Sequence, residues 1–532
     1  MGVEGARRMI RIAGAPAAPG LAQGRLHRPG ARRRAERRPG APADERAALA
    51  RAIASARVEL EQLAARSGEG EAAGILQFQL ALLEDEALTA PAFAAIDTGT
   101  AADAAWRGAL DEQIADYERA EDAYFRGRAA DLQDLRERVL DRLAGAADAA
   151  IPANAILAAE DLAPSKFLAI DWRGGGLVLG RGSPTSHLAI LARARGIPVV
   201  VGIDAAACDG HGHALLDGYT GELVLDPDEP TRRAFAERME RDRSRQAAEA
   251  EYLARPAVTG AGERIWVTVN LGSLEELDGI DASHTDGVGL VRTEFLFQDR
   301  HGLPDEEEQF RAYRRILDWA GGRPVIVRTL DAGGDKPIPG LTRTGETNPF
   351  LGVRGVRISL RHPEVFAIQL RALARAAAHG PLRIMVPMVT VPEEMARVRW
   401  LLDEAVAGTR AAVRPPLGMM VEVPAAALAI DRFEADFYSI GSNDLIQYLA
   451  AASRDEPELA PLAKPSPALW RILKDIAEHG RRTGCEVSLC GDLAGDPAAI
   501  PALLDCGLRK LSVAPAALAS VKAAIASYGR SS

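Results

Sequence analysis

Cysteine is scarce in this sequence, and the few thiols are widely spaced. The chain of 532 residues contains four, Cys208, Cys485, Cys490 and Cys506. None of them forms the CxxC spacing of a zinc or redox motif. Four cysteines are also too few to build a disulfide framework in a chain of this length. The composition therefore indicates a protein of a reducing compartment.

Long apolar runs and an excess of basic residues are also absent. No segment approaches the roughly 18 uninterrupted apolar residues of a membrane span, and the amino terminus lacks the apolar core of a signal peptide. The formal net charge is −10, from 64 Lys and Arg against 74 Asp and Glu, which argues against a chain-wide polyanion-binding surface. We expect a soluble, cytoplasmic protein that binds neither nucleic acid nor membrane.

The length leaves room for three or four domains of about 100–200 residues each. Apolar residues recur at helical spacing over much of residues 29–145, and short β-like segments lie on both sides. We predict that this helical bundle is inserted into one discontinuous α/β domain, residues 8–28 and 146–226. A highly charged helix within residues 227–256 is predicted to act as a linker.

Apolar strands alternate with helical stretches in the rest of the chain. Eight such strands over about 270 residues are typical of a (β/α)8 TIM barrel. We therefore predict an α/β multidomain fold in which a barrel spans residues 257–532. The strand segments are WVTVNL, GVGLVRTEF, PVIVRTLD, LRIMVPMV, LGMMVEVP, FYSIGSND, EVSLCGD and KLSVAP.

A single histidine, His187, separates the loop RGSPTS from the apolar segment LAILARA. Glycine and proline on both sides predict a short helix, and the free N–H groups of its first turn would stabilise a phosphoryl group on the imidazole. A capping or packing histidine is the ordinary alternative. The stretch alone leaves both interpretations open.

Basic side chains cluster near the carboxyl ends of the predicted barrel strands, where barrel active sites are built. Converging cations would hold a phosphate or a small anionic substrate, because guanidinium groups match its oxygens. In the alternative, each arginine pairs with a nearby acid, as VRTEF and VRTLD allow. The residues are Arg292, Arg328, Lys336, Arg354 and Arg454.

Two carboxylates follow neighbouring predicted strands. Glu422 ends the fifth strand, and Asp444 ends the sixth with Asn443 beside it. This oxygen-rich set suits Mg²⁺, a hard cation, although a general acid–base pair would use the same residue types. Cys490 ends the seventh strand, where it is either a packed core thiol or a proton donor to the substrate.

Motifs extend along most of the chain. GSPTSHLAILARARGIP lies upstream of DGVGLVRTEFLF, VIVRTLDAGGDKPIPG, NPFLGVRGVRISL, MMVEVPAAA, FYSIGSNDLIQY and LCGDLAGD. Together they closely resemble the Enzyme I family of the bacterial phosphotransferase system, the phosphoenolpyruvate-protein phosphotransferases. The resemblance runs in unbroken order from about Ile10 to about Ser527. It implies a swivelling phosphohistidine domain whose helical insertion docks the phosphocarrier protein HPr.

The resemblance also implies a role for each candidate residue. His187 matches the histidine that is phosphorylated, and Cys490 matches the cysteine proposed to protonate C3 of the enolate. Glu422 and Asp444 match the Mg²⁺ ligands. The residues that match the phosphoenolpyruvate pocket are Arg292, Arg328, Lys336, Arg354, Asn443 and Arg454.

The implied reaction passes the phosphoryl group of phosphoenolpyruvate to His187 and then to a histidine of HPr, releasing pyruvate and starting sugar transport. We expect a homodimer formed through the barrel. The lack of a sensor domain before Ile10 favours the sugar branch over the nitrogen branch. A pyruvate,phosphate dikinase would need a nucleotide-binding domain that is not evident, and a catalytically silent phosphorylation sensor would not need the full set of candidate residues.

Overall fold

Two compact units, Met1–Arg243 and Ser244–Ser532, make up the chain in the computed structural model. Each unit has its own apolar core. Among the described helices, none is long and apolar enough to cross a membrane. The structure describes residues 9–28, 40–67, 71–119, 123–145, 151–182, 187–297, 302–334, 338, 340–343, 346–409, 413–453, 459 and 462–529.

The first unit contains an eight-stranded mixed sheet. Its strands are β1 (Ile10–Ala13), β2 (Ala15–Ala18), β3 (Leu21–His27), β4 (Ile156–Ala159), β5 (Gly176–Leu179), β6 (Val199–Val201), β7 (His213–Asp217) and β8 (Glu222–Leu225). They follow the order β1-β8-β7-β3-β4-β5-β6-β2, and the central strands from β3 to β6 run parallel. The chain therefore leaves this sheet after β3 and returns to it at β4.

Five helices lie between β3 and β4. They are α1 (Pro42–Ser67), α2 (Glu71–Glu84), α3 (Glu86–Asp97), α4 (Ala102–Arg119) and α5 (Ala123–Leu143). Asp85 caps α3 by accepting a hydrogen bond from the backbone N–H of Ala87 at 2.8 Å. The amphipathic pattern of the sequence buries Trp106 of α4 completely among the neighbouring helices.

Apolar and polar contacts join this helical bundle to the sheet. One apolar cluster combines Trp106 and Leu135 of the helices with Leu157 and Leu177 of the sheet. Beside it, buried Arg138 of α5 donates a hydrogen bond from Nη2 to the Ser165 hydroxyl at 2.6 Å. The helices therefore share a core with the α/β part of this unit.

Three further α-helices lie between β4 and the first barrel strand in the described part of the chain. They are α6 (Pro164–Ala169), α7 (His187–Ala194) and α8 (Glu229–Ala250). No residue of α8 is buried, as its charged sequence predicts, and the boundary between the two units falls within this helix. The finer domain boundaries given above stay a prediction.

The second unit is a closed barrel of eight parallel strands, which confirms the predicted fold class. The strands are β9 (Trp266–Leu271), β10 (Val288–Arg292), β11 (Val325–Arg328), β12 (Leu382–Val386), β13 (Leu417–Val421), β14 (Phe437–Gly441), β15 (Glu486–Cys490) and β16 (Lys510–Val513). Each one lies within a segment predicted from the sequence. Barrel closure is made by β16 pairing with β9.

Helices cover the outside of the barrel. They are α9 (Glu306–Ala320), α10 (Val356–Arg361), α11 (Pro363–Ala376), α12 (Pro392–Ala407), α13 (Pro424–Leu428), α14 (Ser442–Ala450), α15 (Pro467–Thr483), α16 (Ile500–Asp505) and α17 (Leu518–Ser527). The boundaries follow local chemistry: a capping box of Asp305 and Glu308 begins α9, and left-handed Gly321 ends it.

Side chains alternate between two cores along the barrel strands. Residues such as Val291 and Val327 pack outward against the helices. A separate small cluster fills the barrel interior with Leu290, Ile326, Met385, Met420, Phe437 and Cys490. This interior layer forms the floor of the carboxyl face, where the polar residues lie.

Candidate active site

Closure of the barrel brings the carboxyl ends of its strands to one face. Arg292, Arg328 and Cys490 are the last residues of β10, β11 and β15. Their neighbours at this face are Arg354 in the loop before α10, Glu422 directly after β13, and Asn443 and Asp444 in the first turn of α14. Most of the side chains predicted to form the site therefore share one end of the barrel.

The remaining candidates are described less completely. His187 is the first residue of α7, which agrees with its predicted place at a helix start. The side chain of His187 lies outside the described part of the structure. Lys336 and Arg454 also lie outside the described residues.

Arg328 is buried between two carboxylates. Its Nη2 donates to Glu294 Oε1 at 2.8 Å, and its Nη1 lies 3.1 Å from Asp331 Oδ2. The backbone N–H of Asp331 donates to the same Glu294 oxygen at 2.9 Å. Burial opposes the charged guanidinium, but the two carboxylates outweigh it and raise the pKa of Arg328 above its usual value.

Arg354 is also buried, with 2% of its surface exposed. Its Nη2 lies 2.9 Å from Asp331 Oδ2 and 3.2 Å from Asp444 Oδ2. The pKa of Arg354 is raised in spite of burial, because these two carboxylates favour the charged form. Asp331 thus bridges both arginines, and Arg354 connects that pair to α14.

The ion pair between Arg328 and Asp331 is the one that the motif VRTLD allows, whereas Glu294 of the motif VRTEF pairs with Arg328 of the other motif. Pairing leaves donors available, because a guanidinium has five N–H groups. Nε of Arg328 is buried and has no hydrogen-bond partner in the described part of the chain. Arg292 is half-buried and makes no ion pair with a described residue. The cluster therefore retains capacity to bind an anion.

Glu422 has a strongly perturbed carboxyl at this face. Burial, reinforced by the nearby charges of Asp444 and Asp331, raises the pKa of Glu422 to about 8, although Arg328 and Arg354 oppose the shift. The backbone N–H of Met388 donates to Glu422 Oε1 at 2.6 Å. A carboxyl with this environment gains strongly from a nearby cation.

Met388 provides that N–H from a strained backbone. Its φ of 59° is in the left-handed region, which a residue with a long side chain adopts only when its surroundings enforce it. Gly355, also left-handed at 59°, lies against it, and a Cβ there would be 2.7 Å from the Cβ of Met388. The close approach leaves no room for a side chain at position 355 and therefore requires glycine there.

Asn443 and Cys490 differ in exposure. Half-buried Asn443 is locked to Asp492 in both directions: its Nδ2 donates to Oδ2 at 3.1 Å, and its Oδ1 accepts from the backbone N–H at 2.9 Å. Cys490 is buried, and its Sγ lies 3.4 Å from the carbonyl oxygen of Ile440. Burial raises the pKa of this thiol, so it is held in the protonated form that a proton donor needs.

The carboxylates at this face fit a hard divalent cation. Four acidic side chains surround the two buried arginines, and a divalent cation beside Glu422 would favour the ionised form of that carboxyl. No group of three or more His, Cys, Asp or Glu forms a complete ligand set within the described ranges. Mg²⁺ commonly uses only one or two carboxylates and takes its other ligands from water and substrate, so two acids satisfy its usual chemistry.

Sequence reasoning missed three contributors to this face. Tyr448 follows Asp444 by four residues on α14, a spacing that predicts a shared helix face. Phe350 lies in the motif NPFLGVRGVRISL and Met388 in the strand segment LRIMVPMV, but nothing in either segment indicates that these two residues contact the site. Glu294 and Asp331, by contrast, stand in the strand-end motifs that predicted the arginines.

Family models match nearly the whole chain. The PEP-binding domain of PEP-utilising enzymes matches residues 246–530, their N-terminal domain matches residues 13–128, and their mobile domain matches residues 151–221. The barrel and its charged face thus belong to the PEP-utilising class, in which PEP stands for phosphoenolpyruvate.

Individual relatives identify the family to which the chain belongs within the PEP-utilising class. The phosphoenolpyruvate-protein phosphotransferase of Geobacillus stearothermophilus is 37% identical over 506 residues, covering 90% of this chain and 87% of the relative. The multiphosphoryl transfer protein of Shigella flexneri is 37% identical over 473 residues, covering 86% of this chain and 57% of the relative. The chain belongs to the phosphoenolpyruvate-protein phosphotransferase family of enzymes.

Solved structures provide a further comparison. The N-terminal domain of Enzyme 1 – Nitrogen matches with 29% identity and a TM-score of 0.35, covering 44% of this chain and 99% of that domain.

The ion pair of Arg328 predicts a stability effect. Glu294→Ala removes one of its two buried carboxylate partners, and we expect the free energy of unfolding of the barrel to fall by about 3 kcal/mol. Glu306→Ala is the control, because Glu306 pairs with Arg371 and Arg375 at a more exposed place and its loss should cost less than about 1 kcal/mol. Urea unfolding measures both, and equal losses would contradict the buried network.

Proposed function

We propose that this enzyme transfers the phosphoryl group of phosphoenolpyruvate to His187 and then to a histidine of a phosphocarrier protein of the HPr type, releasing pyruvate. One observation carries the proposal: buried Arg328 and Arg354 share the carboxylate of Asp331 at the mouth of the barrel, its carboxyl face, beside Glu422. Fixed cations next to excess carboxylates suit a small anion that binds together with a divalent cation. Membership of the family supports the same substrate.

The cations would hold the phosphate and carboxylate of phosphoenolpyruvate. Arg292 has no ion pair to give up within the described residues, and Arg328 has a free Nε. The donors of buried Arg328 are already desolvated by the barrel, so they would stabilise the charge of the transferring group without reorganising. The proposed substrate-binding set is Arg292, Arg328, Lys336, Arg354, Asn443 and Arg454.

Mg²⁺ would be held by Glu422 and Asp444. When bound, it would neutralise part of the negative charge of these carboxylates and of the substrate. Met388 fixes one oxygen of Glu422 through its backbone N–H, which leaves the other oxygen of that carboxyl to serve the ion.

Transfer itself requires a neutral imidazole at His187 that attacks phosphorus in line. The P–O bond to the enol oxygen breaks, and its electron pair stays on the enolate of pyruvate. The helix start at His187 then favours the phosphoryl group, because the first N–H groups of α7 face an anion there. His187 belongs to the first unit, so the imidazole must reach the barrel mouth and later the carrier.

Release of pyruvate requires a proton at C3 of the enolate. We assign this proton to Cys490, whose buried thiol keeps its proton and lies at the end of β15 next to the arginines. The charge of Arg292 acts on this thiol, which supports a position at the substrate end of the barrel.

The setting of the reaction follows from the same proposal. The helical insertion predicted over residues 29–145 would dock the carrier, and its described part consists of helices α1 to α5. The enzyme would act in the cytoplasm as a homodimer joined through the barrels, and the phosphorylated carrier would supply sugar transport.

Replacing the proposed acceptor, His187, should abolish phosphorylation of the protein without abolishing the binding of phosphoenolpyruvate. His187→Ala should acquire no acid-labile phosphate from labelled phosphoenolpyruvate, while calorimetry should detect binding of phosphoenolpyruvate within about twofold of wild type, because the arginines lie in the other unit. His213→Ala, an exposed histidine of the same unit, is the control and should label normally. A labelled His187→Ala protein would refute the assignment.

The metal site predicts a loss of cation affinity. Glu422→Ala and Asp444→Ala should each weaken Mn²⁺ binding, measured by electron paramagnetic resonance with phosphoenolpyruvate present, by at least about tenfold. Asp403→Ala removes an exposed carboxylate of α12 and should leave the affinity unchanged. Unaltered affinity in both site variants would return Glu422 and Asp444 to a structural role.

The proton donor predicts a stereochemical effect. Cys490→Ser keeps the size of the side chain but replaces the thiol with a much weaker acid. Phosphorylation of His187 should persist, while pyruvate formed in D₂O from C3-labelled phosphoenolpyruvate should lose facial purity at C3. If rate and stereochemical purity both match wild type, another group is the acid.

A further inference from the structure

Tyr448 connects three parts of the barrel mouth. It stands on α14, one helical turn after Asp444. Its hydroxyl donates to the carbonyl oxygen of Phe350 at 2.6 Å and accepts from Arg354 Nη1 at 3.5 Å. Burial raises the pKa of Tyr448 to about 12, so the phenol stays neutral and keeps the proton that it donates. The loop at Phe350 is thereby tied to the helix that carries Asp444.

Phe350 completes the support from the other side. Its ring centre lies 5.9 Å from the guanidinium carbon of Arg354, within the range of a cation–π contact. Gly334 closes the same space: a Cβ there would be 3.4 Å from the Phe350 ring and 3.7 Å from Arg354 Nη1. The guanidinium is therefore enclosed by a hydroxyl, an aromatic ring and bare backbone.

The uncharged contacts with Tyr448 and Phe350 matter because the carboxylate partners of Arg354 also interact with other groups. Asp331 also pairs with Arg328, and under the proposed function Asp444 serves the divalent cation. A carboxylate that holds the guanidinium also neutralises it toward an incoming anion. The phenol and the aromatic ring restrict its orientation and leave its positive charge in place.

We propose that Tyr448, together with Phe350, is a positioning residue that orients the guanidinium of Arg354 toward phosphoenolpyruvate. The inference rests on the proposed function, since Arg354 is a substrate-binding residue only there. It assigns Tyr448 an effect on substrate affinity that acts through Arg354.

Tyr448→Phe tests this with the full-length enzyme. The variant loses the hydroxyl and both of its hydrogen bonds, and the KM for phosphoenolpyruvate should rise about five- to tenfold while kcat changes by less than about twofold. Tyr438→Phe is the matched control: the Tyr438 hydroxyl also donates to a backbone carbonyl, that of Phe433 at 2.8 Å, but it makes no hydrogen bond to a described residue of the site. Its KM should equal that of wild type.

A double variant separates positioning from a general structural effect. In an Arg354→Lys background the guanidinium is gone, so adding Tyr448→Phe should raise KM by less than about twofold further. Should Tyr448→Phe fail to fold, Phe350→Leu removes the ring beside Arg354 and should also raise KM.

The outcomes are distinguishable. If wild type forms no pyruvate from phosphoenolpyruvate, the proposed function fails. If wild type turns over and Tyr448→Phe keeps its KM, or the two substitutions act additively, the positioning role is overturned. Equal rises in KM for Tyr448→Phe and Tyr438→Phe would also overturn it, since the effect would then be structural.

Discussion

Charge buried at the mouth of the barrel is the constraint on which this site depends. A single unpaired charge in such a place costs several kcal/mol, so every buried guanidinium must meet carboxylates in good geometry. Asp331 meets this demand twice, since it pairs with both Arg328 and Arg354. Partners from the turn after β10, the loop after β11 and α14 can converge on one network only because the barrel holds them rigidly.

The network does not contain equal numbers of acidic and basic groups, and this difference favours the binding of a cation. Carboxylates outnumber the buried guanidinium groups, and the pKa of Glu422 is raised by burial and further by the charges of Asp444 and Asp331. The left-handed backbone of Met388, whose N–H holds Glu422, adds local strain at the same place. A divalent cation and a small anion arriving together would relieve the excess while leaving the ion pairs in place.

Much of the architecture was predictable from the sequence for a simple geometric reason. Residues that directly follow an apolar strand of a parallel barrel must lie at its carboxyl face. The strand pattern of the sequence therefore places Arg292, Arg328 and Cys490 at one face. The break between β3 and β4 was likewise visible as a change from strand-like to helical periodicity.

The sequence by itself determined the barrel, the inserted helices and the face on which the candidate residues lie, because local periodicity encodes these features. Tertiary structure alone decided which groups meet. Arg354 and Asp444 are 90 residues apart, and Tyr448 is 94 residues from Arg354, so no local pattern relates them. The raised pKa of Glu422 and the backbone of Met388 depend in the same way on packing between separate loops, since burial and charge arise only when the chain is folded.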